Sequence, residues 1–248
     1  MARCAIPLLA VLAACGSSPT APAAGPTTMA TTAPATSIST STTTKPAPAT
    51  TVTSTVASNV PPFSGTALRV TAADLPSSWR TGCPVAPADL RKLALTYWGF
   101  DSQAHTGALV VHADQAEAII GVFKRLYDRR FPIRRMEPID VYGGSDDASI
   151  AADNTSGFNC RNAVASGPPQ WSQHAFGRAI DVNPVENPYI LEGTVLPPAG
   201  APYVDRSNVR PGMAIRGGEL VAAFAAIGWS WGGVWANPDY QHFSAAGN

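Results

Sequence analysis

Residues 171–184 read Trp-Ser-Gln-His-Ala-Phe-Gly-Arg-Ala-Ile-Asp-Val-Asn-Pro, which places one imidazole, His174, seven residues before one carboxylate, Asp181. On a continuous α-helix this spacing stacks the two groups on one face but separates them by about 10 Å along the axis, too far to share one metal ion. On a flat strand an odd separation sends them to opposite faces. A site that uses both needs a bend between them. Gly177 can supply it, because glycine reaches backbone conformations closed to other residues. The Ala179-Ile-Asp-Val182 run that follows reads as a short buried strand holding Asp181 on a rigid element. The stretch reads as half of a metal site, and the other half must come from elsewhere in the chain.

Working outward, Phe63–Asn248 is long enough for one well-buried core. Ala67–Thr71 reads as a strand, Pro87–Leu95 as a short helix with proline near its start, and Ala108–His112 as an apolar strand. The clearest helix follows, with Asp114 and Glu117 at its amino end and Ala116, Ile119, Ile120, Phe123 and Tyr127 at helical spacing. Glu137–Tyr142 reads as a strand. Residues 143–165 form a long polar connection, the kind of loop that carries function. In residues 186–211, Pro188, Pro197, Pro198, Pro202 and Pro211 argue against regular structure. Glu219–Ile227 is a second amphipathic helix stopped by Gly228, and Asp239–Ser244 reads as a strand. Helices interspersed with short strands indicate an α+β domain, with a central antiparallel sheet and flanking helices.

The amino terminus is of another kind. Met1–Arg3 is a short basic start, Ala5–Ala14 an apolar run, and Leu12-Ala-Ala-Cys15 closes it with small residues before a cysteine. The run is too short to span a membrane and reads as an export signal over residues 1–14. Its end resembles the lipobox of bacterial lipoproteins, which implies lipidation of Cys15. Residues 15–62 are dominated by Thr, Ser, Ala and Pro with one charge, Lys45, and read as a disordered tether holding the domain of residues 63–248 away from the membrane. A glycosylated stalk fits the same residues. Basic and acidic side chains balance at 17 each, with no basic run, which argues against nucleic acid as a partner. A monomer is expected. With Cys4 removed in the signal and Cys15 lipidated, Cys83 and Cys160 remain as a pair in an exported domain and are expected to form a disulfide, which would hold the segment carrying Arg161.

Catalytic zinc takes three protein ligands, and His174, Asp181 and His242 satisfy that count. Asp239, three residues before His242, is placed to accept a proton from the attacking water. Hydrolysis also needs a cation or donors where negative charge develops on the carbonyl oxygen, and Arg161, on the loop entering the central stretch, is the candidate. Asp147 could orient it, although a capping role is expected for that residue. His105 and His112 are expected to be structural. So is Ser172, which has no nucleophile elbow around it and is expected to bond the backbone of the stretch. Trp229, Trp231 and Trp235 are assigned mainly to the core.

Ser172-Gln-His174-Ala-Phe-Gly177-Arg-Ala179-Ile-Asp181, followed by Asp239-Tyr-Gln-His242-Phe, resembles the signature of the zinc D-alanyl-D-alanine carboxypeptidases and L-alanyl-D-glutamate endopeptidases. The resemblance extends loosely from about Gly82 to Phe243. It implies the fold shared with lysostaphin-type peptidases and the amino-terminal domain of hedgehog, one Zn2+ at His174, Asp181 and His242, Asp239 as general base, and peptidoglycan peptides as substrate. Many members carry Glu at the base position, and Asp is similar to the endopeptidase branch. The family's arginine is matched only approximately by Phe158-Asn-Cys-Arg161. A zinc-bearing binding module without turnover, as among the hedgehog relatives, is the alternative function. The presence of Asp239 and Arg161 speaks against it.

Overall fold

In the protein's computed structural model, residues 60–164 and 168–247 are described. The expectations for the signal, Cys15 and the tether up to residue 59 lie outside them. Among the described residues no helix is long and apolar enough to cross a membrane.

The first sheet is built on β2 (Leu90–Gly99), which pairs antiparallel with β1 (Gly65–Arg69) on one side and β3 (Ala104–His112) on the other. Beyond the end of β1, β4 (Pro132–Ile133) adds to β2 in parallel. Alternation explains the two-sided burial of this sheet. Leu93, Leu95, Leu109 and Val111 join the main core, while Leu90 and Val110 point the other way, into a smaller cluster with Leu75, Phe158 and Cys160. The main face is covered by α1 (Ala116–Asp128), which presents Ile119, Val122, Phe123 and Leu126 at helical spacing. The same core continues through Phe123 to Phe224 of α3 (Glu219–Ala225), whose ring stacks on Phe243 with centroids 4.3 Å apart.

Phe243 belongs to the second sheet, in which β9 (His242–Ser244) lies between β5 (Ala179–Asp181) and β8 (Ser230–Trp231), all antiparallel. Between β4 and β5 the chain forms α2 (Asp146–Ala151), and between β5 and β8 a separate hairpin, β6 (Tyr189–Leu191) with β7 (Thr194–Leu196).

The α+β composition with antiparallel pairing is present, but the expected central sheet is divided into two. Pro87–Leu95 is not a helix. Only Pro87–Asp89 makes a 3-10 turn, and Leu90 onward is the middle strand of the first sheet, because β1 and β3 flank it and both of its faces are buried. Glu137–Tyr142 is not a strand. Residues Ile139–Tyr142 form a 3-10 turn, with the Asp140 carboxylate accepting from the Ser77 and Ser78 amides and the Ser78 hydroxyl. The loop expected at residues 143–165 contains α2. Residues 186–211 hold the β6–β7 hairpin, flanked by Pro188 and Pro197, and a 3-10 turn at Pro198–Tyr203 that starts on one proline and contains another, Pro202. At the start of α1, Asp114 does not cap the helix. The Asp114 carboxylate instead accepts from His112 Nδ1 at 2.6 Å and pairs with Arg178.

Candidate active site

Local structure brings His174 back to Asp181. Gln173–Phe176 is a 3-10 turn capped by Ser172, whose Oγ accepts from the His174 amide at 3.3 Å. The turn ends on Gly177 at φ +64, in the left-handed region that favours glycine. Here the Gly177 carbonyl accepts from the His112 amide at 2.8 Å, and a Cβ on Gly177 would lie 2.6 Å from that nitrogen. The bend therefore docks against the end of β3, and the chain re-enters as β5.

His242 is brought in by register. It lies directly opposite Asp181 in the β5–β9 pair, so both side chains leave the same face, while the Ile180–Phe243 pair turns to the core. On its other edge β5 is held by Ser156, which exchanges two 3.0 Å backbone hydrogen bonds with Asp181. Two residues on, Phe158 donates its amide to Val110 of β3 at 2.7 Å.

His174, Asp181 and His242 are all buried, and one ligand atom from each lies within 4.8 Å of the others. His174 Nε2 is 3.1 Å from Asp181 Oδ2 and 3.3 Å from His242 Nδ1, which is itself 3.0 Å from Asp181 Oδ1. His174 Nδ1 is 2.7 Å from the Gly157 carbonyl. A carbonyl only accepts, so Nδ1 carries the proton and Nε2 faces the cluster. Two imidazole nitrogens and a carboxylate thus converge at one buried point, the N2O donor set that suits zinc.

The charges lean on one another. Burial opposes charge on His174, yet the Asp181 carboxylate, by its charge and its hydrogen bond, raises the His174 pKa above its ordinary value. Burial likewise works against ionised Asp181, but His174 and then His242 hold its carboxyl well below the usual range. Asp239 behaves oppositely. Burial and then the nearby Asp181 charge push its carboxyl up to about 7 against the opposing pull of His242, Gln241 and Arg161, and its Oδ1 is buried without a hydrogen-bond partner among the described residues.

The cluster lies at a cleft of about 1010 Å³. Its lining includes Asp146, Asp147 and Ile150 of α2, Arg161, Trp171, Tyr189, Leu196, Trp235, Asp239 and Gln241. Asp239 is also tied to the hairpin by a bridge to Tyr189. Arg161 is about a quarter exposed and pairs through Nη2 with Asp146 Oδ2 at 2.7 Å. The acid paired with it is Asp146 and not Asp147. Cys83 and Cys160 form the expected disulfide, next in sequence to Arg161.

His105 and His112 stand outside the cleft and pair with Asp101 and Asp114, four and two residues away in sequence. Trp229 and Trp231 are core residues, whereas Trp235 lines the cleft with its ring 5.3 Å from that of His242. Tyr189 and Gln241 line the cleft and were missed in the sequence. Tyr189 falls in the proline-rich region read as irregular, and an amide such as Gln241 carries no motif of its own.

Residues 166–245 match a family model described as D-alanyl-D-alanine carboxypeptidase. That span holds His174, Asp181, Asp239 and His242, and leaves Asp146 and Arg161 outside. The match supports a peptidase. Neither the curated proteins nor the solved structures give a match to the chain.

Proposed function

We propose that the domain is a zinc-dependent peptidase that hydrolyses peptidoglycan stem peptides, of the D-Ala-D-Ala carboxypeptidase or L-Ala-D-Glu endopeptidase type. The observation that carries this reading is the convergence of His174, Asp181 and His242 beside the carboxyl of Asp239, at a cleft of about 1010 Å³. His174 Nε2, an Asp181 oxygen and His242 Nδ1 would hold the ion, and the Gly157 carbonyl keeps His174 in the tautomer that binding requires. When bound, zinc would supply a Lewis acid for the scissile carbonyl and lower the pKa of water.

The chain's own residues do the rest. Asp239 takes a proton from the attacking water and returns it to the leaving amine. Arg161 lines the same cleft and meets the negative charge that develops on the carbonyl oxygen. Tyr189, Leu196 and Trp235 wall the cleft and exclude water around the bound peptide. The amino-terminal signal, the lipobox-like Cys15 and the Thr/Ser/Ala/Pro tether support an exported lipoprotein working at the cell wall on its tether.

The test is to incubate the zinc-loaded chain with purified muropeptides and read the products by mass. Cleavage is expected for the wild type, with loss in Asp239→Ala. Cleavage that persists in Asp239→Ala would sink the assigned base, and no product from any muropeptide would favour a binding module.

A further inference from the structure

The Arg161 side chain has many rotamers, and fixing such a chain costs conformational entropy. A stabiliser of developing charge must be oriented before the charge appears, so something has to hold the guanidinium. The structure holds both of its ends. The backbone is gripped by the Cys160 amide on the Ser78 carbonyl at 3.0 Å, by the Cys83–Cys160 disulfide, and by the Ser172 amide on the Arg161 carbonyl at 3.1 Å. Arg80 adds a hydrogen bond from Nη1 to the Cys160 carbonyl. At the far end, Asp146 Oδ2 meets Nη2 at 2.7 Å, the length of a charge-assisted bond.

Asp146 is itself anchored. It opens α2, whose amino end is capped by Ser145 Oγ accepting from the Ala148 amide at 3.2 Å. The Asn159 side-chain amide, two residues before Arg161, donates to the Gly144 carbonyl at 3.3 Å and to Asp146 Oδ1 at 3.4 Å. The neighbouring Asp147 also lines the cleft, but its carboxylate makes no hydrogen bond or ion pair among the described residues. The two carboxylates are thus distinct in role.

We infer that Asp146 is the positioning residue for Arg161: it acts on the reaction only through the guanidinium, aiming it at the reacting carbonyl. This rests on the charge-stabilising role proposed for Arg161. Because that charge exists only in the transition state, the loss falls on kcat while KM stays nearly constant.

A double-mutant cycle on the full, zinc-loaded chain tests it, with a purified pentapeptide muropeptide as substrate and bound metal and melting temperature measured for every variant. Arg161→Ala is expected to lower kcat by about 10²- to 10³-fold, the usual loss for one donor to an oxyanion. Asp146→Asn is expected to lower kcat by about 10- to 10²-fold, as misplacement of a catalytic group does. In the Arg161→Ala background, Asp146→Asn is expected to change kcat less than about twofold, since a residue acting through Arg161 has nothing left to position. Asp146→Glu, which keeps the charge, is expected to retain more activity than Asp146→Asn, and it replaces Asp146→Asn in the cycle if that variant does not fold. An Asp146 effect of the same size in both backgrounds, or none in the wild type while Arg161→Ala is impaired, overturns the inference alone. Unchanged kcat in Arg161→Ala overturns the role of Arg161 and the inference with it.

Discussion

β2 and β3 run for 10 and 9 residues and bury leucine and valine on both faces, whereas β5 and β9 run for 3 residues each and turn Asp181 and His242 into a buried cluster. The long sheet, with α1 over it, has what a stable fold needs: alternating apolar side chains and continuous backbone pairing. The short sheet does not, since strands of this length with buried polar groups are marginal by themselves. It is held from outside, by Ser156 along one edge of β5, by Gly177 docking on β3, and by Phe243 stacking on Phe224. The long sheet supplies the stability, and the short one carries the chemistry at some cost to stability. Substitutions in the two regions are therefore expected to separate activity from stability.

The largest separation is expected at Asp239. Asp239→Ala should lower kcat by about 10²- to 10⁴-fold, the range for loss of a general base, while thermal unfolding shows the melting temperature unchanged or raised. The rise is expected because removing an inward carboxyl beside Asp181 relieves burial and like-charge repulsion. A fall in melting temperature matching the fall in activity would erase the distinction between the regions. The converse is Phe123→Ala in α1, under the long sheet, where Phe123 is 1% exposed. It should cost about 3–5 kcal/mol in denaturant unfolding and leave kcat per folded molecule unchanged.

The disulfide joins the two regions. Cys83→Ser with Cys160→Ser should cost about 2–5 kcal/mol of stability, and, unlike Phe123→Ala, should also lower kcat, because Cys160 adjoins Arg161. Loss of stability alone would assign the bridge to the scaffold. Gly177→Ala should cost about 1–3 kcal/mol from its backbone conformation, to which the contact with the His112 nitrogen adds, and should weaken metal retention by displacing His174.

The smallest effect is expected at Glu186, away from the cleft, whose carboxyl is pushed up to about 8 by burial and then by Asp153. A carboxyl with a raised folded pKa contributes stability that is fully present below its unfolded pKa of about 4.3 and is lost as pH rises through the folded value. Glu186→Gln should therefore flatten the decline in melting temperature between about pH 5 and 8. An unchanged decline would assign it to other groups.

What could be read in advance follows from how local each determinant is. His174, Gly177 and Asp181 lie within eight residues, so spacing alone demanded the bend that Gly177 makes. Asp239 and His242 share a short motif, although the β5–β9 register that sets His242 opposite Asp181 is a tertiary fact. β2 was misread because Leu90 and Leu93 fit a helical period as well as a strand with two buried faces, and only β1 and β3 decide between them. The choice of Asp146 over Asp147 depends on how a two-turn helix is rotated, which two adjacent aspartates do not reveal. Tyr189 and Trp235 reach the cleft through the hairpin and the turn after β8, and neither carries a local signature.

The most direct test of the central claim is metal content. After purification in zinc and exhaustive dialysis, elemental analysis is expected to find one zinc per wild-type chain and none in His242→Ala, with circular dichroism showing both folded. A wild-type chain that retains no metal, or a His242→Ala chain that retains it in full, would contradict the assignment of His174, Asp181 and His242 as a metal centre.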